Sequence, residues 1–353
     1  MHVTRLFTRC LIRPEDVPPS QDDLTVVGTF NPAVVATPEG VRLLVRVAEM
    51  PRQRRPGWVG LPRWDAATAR VAIDWVAEED IIREDTRSVR FKADGVVRLT
   101  FVSHLCVAES RDGRSIDRIA PERFLPAGPL EQYGVEDPRA TKIGGKYYFT
   151  YVGISRHGPT TLLASTRDFR TFQRHGTIFC PDNKDVVLFP EKIGERYVAL
   201  HRPSISASLT RPEIWIASSP DLKDWGGHQP VHGGKQAWEA GRVGAGAPPI
   251  RTAKGWLELY HGNDRRHGED RVGRYCGGLM LLDLYVPSRV RGLSGPIFYP
   301  EADFECTGFV PDVVFPTGIV EQGETVLVYY GAADAVTGVT EFRLGDLLAA
   351  VGK

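Results

Sequence analysis

No apolar run in this 353-residue chain approaches the ~20 residues that cross a bilayer as a helix. The first ten residues, Met1 to Cys10, lack the uninterrupted apolar core of a secretory signal, and no Asn-x-Ser/Thr acceptor occurs. Cysteine is scarce: Cys10, Cys106, Cys180, Cys276 and Cys306 are odd in number, far apart and form no Cys-x-x-Cys pair. That pattern excludes a zinc ribbon and argues against a disulfide framework. Neither charge sign is in excess, since Lys+Arg and Asp+Glu are 44 each and the formal net charge is zero. Nothing in that balance favours nucleic acid or an anionic membrane as partner. Together these absences predict a cytoplasmic protein. Helical periodicity is also rare; the best amphipathic window, Glu341–Val351, is short.

Short β-rich runs are plentiful. Val41–Val47, Tyr147–Val152, Tyr197–His201, Trp256–His261 and Val326–Gly331 are runs of branched, aromatic and leucine side chains bounded by Gly, Pro, Asp and Asn, as in buried strands. Arg98–Ser103 resembles them. A second element follows several of these: Ala-Glu-Ser-Arg-Asp-Gly at 108–113, Ala-Ser-Thr-Arg-Asp-Phe at 164–169 and Ala-Ser-Ser-Pro-Asp-Leu at 217–222. Its aspartates recur roughly fifty-odd residues apart, a spacing typical of repeat arrays. One strand-turn unit cannot bury both of its faces, so units stacked about an axis are the natural solution. The chain therefore reads as all-β, one domain over residues 1–353, arranged as a β-propeller. Six strand starts allow six blades, or five with the N- and C-terminal segments completing one together. The most irregular stretch is Pro51–Trp64, with Arg52, Arg54, Arg55 and three prolines. It reads as a solvated loop, or else as a lid or subunit contact.

The chemistry starts from Gly134 to Arg139, Gly-Val-Glu-Asp-Pro-Arg. In isolation this is a surface turn with a salt bridge. Pro138 disfavours the helical region for Asp137, which predicts an extended residue at the mouth of a strand. The ends of the repeated strands alter the balance: Arg46 and Glu49, then His201-Arg202, Tyr260-His261, and Gly331 to Asp334. A lone histidine at a strand end is usually a satisfied core residue. Charged groups at matched strand ends instead predict a common axial funnel, because converging like charges costs free energy without a ligand. Asn183-Lys184-Asp185 by itself reads as a charged turn. Gly241–Pro249 has spaced glycines but no Walker pattern and no following helix, so it predicts close backbone approach rather than a nucleotide site. Lys184, Arg202 and His261 would place positive charge at one pole while Asp137 offers a carboxyl group. That combination suits an anionic co-substrate and a proton donor, as when phosphate cleaves a glycosidic bond. Inverting hydrolysis needs a second carboxylate to activate water, whereas phosphate is already anionic and needs basic residues instead.

The chain resembles glycoside hydrolase family 130, the β-mannoside phosphorylases and related β-mannosidases. The matching segments are Phe30 to Ala33, Leu44 to Glu49, Gly134 to Arg139, Asn183 to Asp185, Leu188 to Lys192, His201 to Pro203, Gly244 to Pro249, Tyr260 to Gly262, Glu305 with Gly308, and Tyr329 to Asp334. They run in order over nearly the whole chain. The resemblance implies a five-bladed β-propeller with Asp137 as the general acid, acting directly or through a sugar hydroxyl. It assigns Arg202 and His261 to phosphate, with Lys184 where many members carry a third basic residue, sometimes arginine. Lysine keeps the charge but loses the bidentate fork. Asn31, Arg46, Glu305 and Asp334 match residues that contact the mannose beside the scissile bond. The implied products are α-D-mannose 1-phosphate and a shortened acceptor, with inversion. The partners are a β-mannoside oligosaccharide and inorganic phosphate as co-substrate, with no metal or organic cofactor; a homo-oligomer is left open. For Asp137 to donate a proton, burial and Glu136 would have to outweigh Arg139. Two rivals remain: a β-mannosidase using water, and a carbohydrate-binding propeller without catalysis. The N-terminal half is more similar to enzymes of β-1,2-mannobiose than of β-1,4 linkages, and acceptor recognition is expected in Pro51–Trp64 and Asp264–Arg274.

Overall fold

The computed structural model describes residues 3–204, 211–265 and 272–352. Five antiparallel sheets built on four-stranded paths carry the architecture. Sheet 1 comprises Leu24–Thr37, Gly40–Pro51, Val102–Ser110 and Arg118–Phe124, and sheet 2 comprises Val135–Ile143, Lys146–Ser155, Gly158–Thr166 and Gln173–Phe179. Sheet 3 comprises Asn183–Leu188, Tyr197–Pro203, Ile214–Ser219 and Gly226–His232. Sheet 4 comprises Arg242–Ala245, Gly255–Asn263, Tyr275–Leu282 and Val290–Phe298, with Ile250–Thr252 as an additional short partner. Sheet 5 comprises Val314–Gln322, Thr325–Ala332, Val336–Arg343 and, from the other end of the chain, Phe7–Ile12.

The five apolar runs read from the sequence are the second strands of these five sheets. They are apolar on both faces because each is covered on both sides by neighbouring elements, as in the burial of Gly40–Pro51 and Thr325–Ala332. Arg98–Ser103 does not begin a sixth sheet; it straddles the end of Val97–Leu99 and the start of Val102–Ser110. Among the described residues, five sheets are built on four-stranded paths beside two smaller ones, and one of the five joins the N-terminal strand to Val336–Arg343.

The first strands lie against one another in sequence. That of sheet 1 meets those of sheets 5 and 2, sheet 2 meets sheet 3, and sheet 3 meets sheet 4. Sheet 4 reaches sheet 5 through a bridge between Tyr275 and Val313. Threonine hydroxyls staple neighbouring sheets by donating to backbone carbonyls: Thr161 to Asn183 (3.0 Å), Thr317 to Pro32 (2.7 Å) and Thr337 to Thr29 (2.8 Å). These bonds satisfy carbonyls that the ladders would otherwise leave buried and unpaired.

The repeated aspartates are turn formers. Asp112, Asp168 and Asp221 each accept two backbone N–H bonds from the residues two and three positions on, at 2.8–2.9 Å. Asp283 does the same for Tyr285 and Val286 after the third strand of sheet 4, a copy that carries no Ser/Thr signature.

Two departures from the sequence reading lie far apart, one between Pro51 and Val102 and the other in the Glu341–Val351 window. The basic stretch begins an insertion with a hairpin, Trp58–Asp65 with Arg70–Ala77, and a three-stranded sheet, Ile81–Arg83, Ser88–Phe91 and Val97–Leu99. Its own small core of Val59, Leu61, Ile81 and Val89 explains why the sequence signal was weak: its strands are partly solvated rather than apolar throughout. At the other end, the helical window Glu341–Val351 is divided, with Glu341 to Arg343 completing a strand and Leu344–Ala350 forming the helix.

The Asp168 turn generates a pH-dependent prediction. Its two backbone hydrogen bonds hold the carboxyl pKa down at about 2, below the ordinary aspartate range. A depressed folded-state pKa gives stability that is present above pH ~4 and is lost as pH falls towards 2. Asp168→Ala should therefore destabilise the protein by about 1 kcal/mol at pH 7, after allowing for solvent screening. The deficit should vanish near pH 2, as read from urea midpoints at both pH values.

Candidate active site

The first strands of sheets 1, 2 and 3 share a defect. Register slips between Phe30 and Ala33, between Glu136 and Arg139, and between Lys184 and Val187. Within each slip one polar residue has left-handed backbone: Asn31 at φ +49°, Asp137 at +47° and Asp185 at +52°. Bulges re-aim a side chain out of the ladder, and Asn and Asp are the non-glycine residues that tolerate this conformation best. Asp137 thus lies within a strand, as expected, but it is not extended; the bulge overrides the preference that Pro138 imposes. All three residues line one cavity of roughly 380 Å³.

Arg46 organises one side of it. The guanidinium donates to Asp137 Oδ1 (2.8 Å) from Nη1, to Glu136 Oε1 (2.6 Å) from Nη2 and to Ser103 Oγ (3.1 Å) from Nε. It lies over the Phe30 and Phe101 rings at 4.6 and 5.5 Å. Asn31 Nδ2 adds a second donor to Asp137 Oδ1 at 2.8 Å. A Cβ on Gly331 would stand 1.8 Å from Asn31 Oδ1, so glycine there makes room for the amide. One buried cation between two buried carboxylates cannot neutralise both. Burial pushes the Glu136 carboxyl up, and Arg46 offsets this only in part. Burial also acts on Asp137, but Arg46, Arg139 and the bond from Asn31 outweigh it and hold that carboxyl below its ordinary range. In the free site Asp137 is therefore the ionised partner.

The opposite side is cationic. Lys184 and Arg202 face each other across the first two strands of sheet 3 and both line the cavity. His261, expected to share their charge, is fully buried behind them; burial lowers its imidazole pKa despite Asp185, so it contributes a neutral ring. The third cation is Arg139, which donates to the carbonyls of Gly246 (2.5 Å) and Asp137 (2.9 Å). The small-residue loop thus does what its composition predicts, letting backbone approach a buried side chain.

Asp334 lines the cavity with left-handed backbone (φ +50°), and burial raises its pKa despite Arg87 and Arg46. Arg87 comes from the insertion, 3.7 Å from Asp334, and lines the cavity with Asp85 and Ser88. The described part of the other expected acceptor loop, Asp264–Arg274, contributes Val272, and Tyr275 just beyond it also lines the cavity, while residues 266–271 lie outside the described residues. Glu305 stands apart from the lining. Its carboxylate binds Arg5, Tyr330 and the amides of Glu301 and Ala302. His201 and Glu49 are core residues: His201 stacks on Phe179 at 4.5 Å, and Glu49 pairs with His104 and Ser20. The sequence reading missed Asp185 as a site residue. Its place between a lysine and an apolar run looks like a turn, and only the repeated bulge distinguishes it.

Asn31→Gly keeps a residue that accepts positive φ while removing a donor to ionised Asp137. The Asp137 pKa should rise, by about one unit or less. Carbon-13 NMR of the aspartate carboxyls across a pH series checks this.

Comparison with known proteins gives a consistent picture. Residues 90–353 match the family profile described as beta-1,4-mannooligosaccharide phosphorylase of glycoside hydrolase family 130. A beta-1,2-mannobiose phosphorylase of Listeria innocua is 38% identical over 354 residues, covering 99% of this chain and 98% of the relative. A beta-1,4-mannooligosaccharide phosphorylase of Ruminococcus albus is 34% identical over 255 residues, covering 68% and 73% respectively. The solved structure of beta-1,2-mannobiose phosphorylase from Listeria innocua in complex with beta-1,2-mannobiose superposes with a TM-score of 0.90 at 38% identity, covering 97% of this chain and 96% of that one. With the Asp137 bulge and the facing cations in place, this chain belongs to glycoside hydrolase family 130.

Proposed function

We propose that this protein is an inverting glycoside phosphorylase. It cleaves a β-mannoside with inorganic phosphate to give α-D-mannose 1-phosphate and a shortened acceptor. The observation that carries the reading is one cavity holding an aspartate on Arg46 and Asn31 together with Lys184 and Arg202. A phosphate oxygen held by the cations attacks the anomeric carbon and forms the new C–O bond. The glycosidic C–O bond breaks, and Asp137 gives its proton to the departing oxygen. The proton carried by the phosphate restores Asp137 over the cycle, so the sums of atoms and charge close.

Asp137 is ionised in the free site, so substrate binding has to reverse that. A sugar that expels water and an anion close to Arg139 both favour the protonated carboxyl. Hydrolysis would need a second carboxylate of ordinary basicity. Asp185 faces the cavity, but burial is outweighed by Arg202, His261 and Arg139, which pull its pKa strongly down. So weak a base activates water poorly. Asn31, Arg46 and Asp334 are the groups placed to contact the mannosyl unit. Glu305 would act on it only by holding Arg5 and Tyr330 in place.

The run of contacts between the first strands from sheet 5 to sheet 4, the Tyr275–Val313 bridge and the sheet shared by both chain ends support five sheets acting as blades of a five-bladed β-propeller. The similarity to a β-1,2-mannobiose complex over nearly the full chain supports a β-1,2 linkage. The chemistry draws on phosphate as co-substrate and calls for no metal or organic cofactor. No helix among the described residues is long and apolar enough to cross a membrane, and all five cysteines are free. We place the reaction in the cytoplasm, where phosphate is plentiful and thiols stay reduced.

The test is to incubate the enzyme with β-1,2- and β-1,4-mannobiose, each with and without phosphate. Mannose 1-phosphate should form from the β-1,2 substrate only when phosphate is present; free mannose released at full rate without phosphate would overturn the reading. Asp137→Asn should lower kcat by about 10²–10⁴-fold without unfolding the protein.

A further inference from the structure

Asp185 is an anion inside a cradle built for anions. It is 4% exposed, lines the cavity and stands in the same left-handed bulge position as Asn31 and Asp137. Its Oδ2 lies 2.6 Å from Arg202 Nη1 and 3.3 Å from His261 Nε2, and its Oδ1 lies 3.7 Å from Arg139 Nη2. A Cβ on Gly244 would come within 2.2 Å of Oδ2 and 2.6 Å of the His261 ring, so the glycine provides the space this carboxylate fills. Among the described residues Arg202 Nε, Arg139 Nη2 and Asp185 Oδ2 are buried without a directed hydrogen-bond partner. Two unused donors thus lie beside a carboxylate whose Oδ2 is engaged by Arg202 and whose Oδ1 stands farther from its cation, at 3.7 Å from Arg139. Donors alone would bind any tetrahedral oxyanion. An ionised carboxylate among them accepts a hydrogen bond but cannot give one.

We propose that Asp185 makes the cavity selective for an oxyanion that still carries a proton, by accepting a hydrogen bond from the anion's own O–H group. The ligand class is hydrogen phosphate or dihydrogen phosphate, and the excluded class is the fully ionised tetrahedral dianion. Sulfate matches phosphate in shape but has no proton at neutral pH. It would set an oxygen lone pair against the carboxylate and leave both unpaired. This deepens the phosphorylase reading and rests on it. It also bears on the product. A phosphate monoester loses its last proton near pH ~6, after which Asp185 repels it and favours its release.

The experiment is competition against phosphate in the mannobiose phosphorolysis assay, with sulfate and monofluorophosphate as proton-free probes. In the wild type each should inhibit only at concentrations on the order of 10²-fold or more above those at which phosphate saturates, as expected for a site built around a ligand O–H. In Asp185→Asn, whose amide can donate, that gap should close to about tenfold or less because the probes bind more tightly. Sulfate binding to the wild type within tenfold of phosphate, or a gap unchanged in Asp185→Asn, would overturn the proposal while leaving phosphate-dependent turnover intact. Turnover without any phosphate dependence would instead remove the phosphorylase reading beneath it. Should the variant misfold by circular dichroism, the wild type still gives an answer in the synthetic direction. The KM for mannose 1-phosphate should rise as pH increases above about 6, and a flat profile would count against Asp185.

Discussion

The site depends on a backbone constraint: the first strands of three sheets each break register at the same place and force one residue into left-handed geometry. A regular strand would send Asn31, Asp137 and Asp185 alternately to one face or the other and bury them against neighbouring sheets. The bulge turns each towards a shared cavity instead. Left-handed backbone is costly for residues with a Cβ, and Asn and Asp are least penalised. The side chains that suit the chemistry are therefore also the ones that suit the backbone. Threonine bonds between sheets hold the strands that carry these bulges, so the strain is borne by the whole assembly rather than by the loop around it.

Electrostatics then divides the cavity. On one side a single guanidinium, Arg46, is shared by Glu136 and Asp137, and burial pushes the Glu136 carboxyl up while Asp137 is held down. On the other, Arg139, Lys184 and Arg202 exceed the one carboxylate, Asp185, which stays ionised. The two sides are coupled through Arg139, whose guanidinium bonds the carbonyl of Asp137 and lies near Asp185. An anion arriving at the cationic side therefore weakens the pull on the Asp137 proton. In the proposed reaction, binding and proton supply would then be linked without any moving part.

Much of the frame was legible because the second strands are buried on both faces, which leaves an apolar run that needs no context to be recognised. The turn aspartates were legible for a similar local reason: Asp112, Asp168 and Asp221 bond amides two and three residues on. The insertion was not, because its strands are partly solvated and supported by a core of only a few residues. Among candidate site residues, Asp137, Arg46, Asn31, Lys184, Arg202 and Asp334 do line one cavity. His261 backs it as a neutral ring, and Glu305 holds Arg5 and Tyr330 beyond it. Motif position brings a residue near the site, but burial decides whether its charge survives there.

By itself the sequence determined the all-β character, the repeat and the segments that carry chemistry, since these depend on local pattern and on side chains close along the chain. Tertiary structure decided the rest. That the last four-stranded sheet is completed by Phe7–Ile12 follows from that strand pairing with Val336–Arg343, a contact across most of the chain. That the Asp137 carboxyl is held down follows from Arg46 and Asn31 on another sheet and from Arg139, and that the His261 imidazole is lowered follows from burial. That Asp185 faces the cavity at all follows from one extra residue in a ladder, which composition does not encode and only the paired strand makes visible.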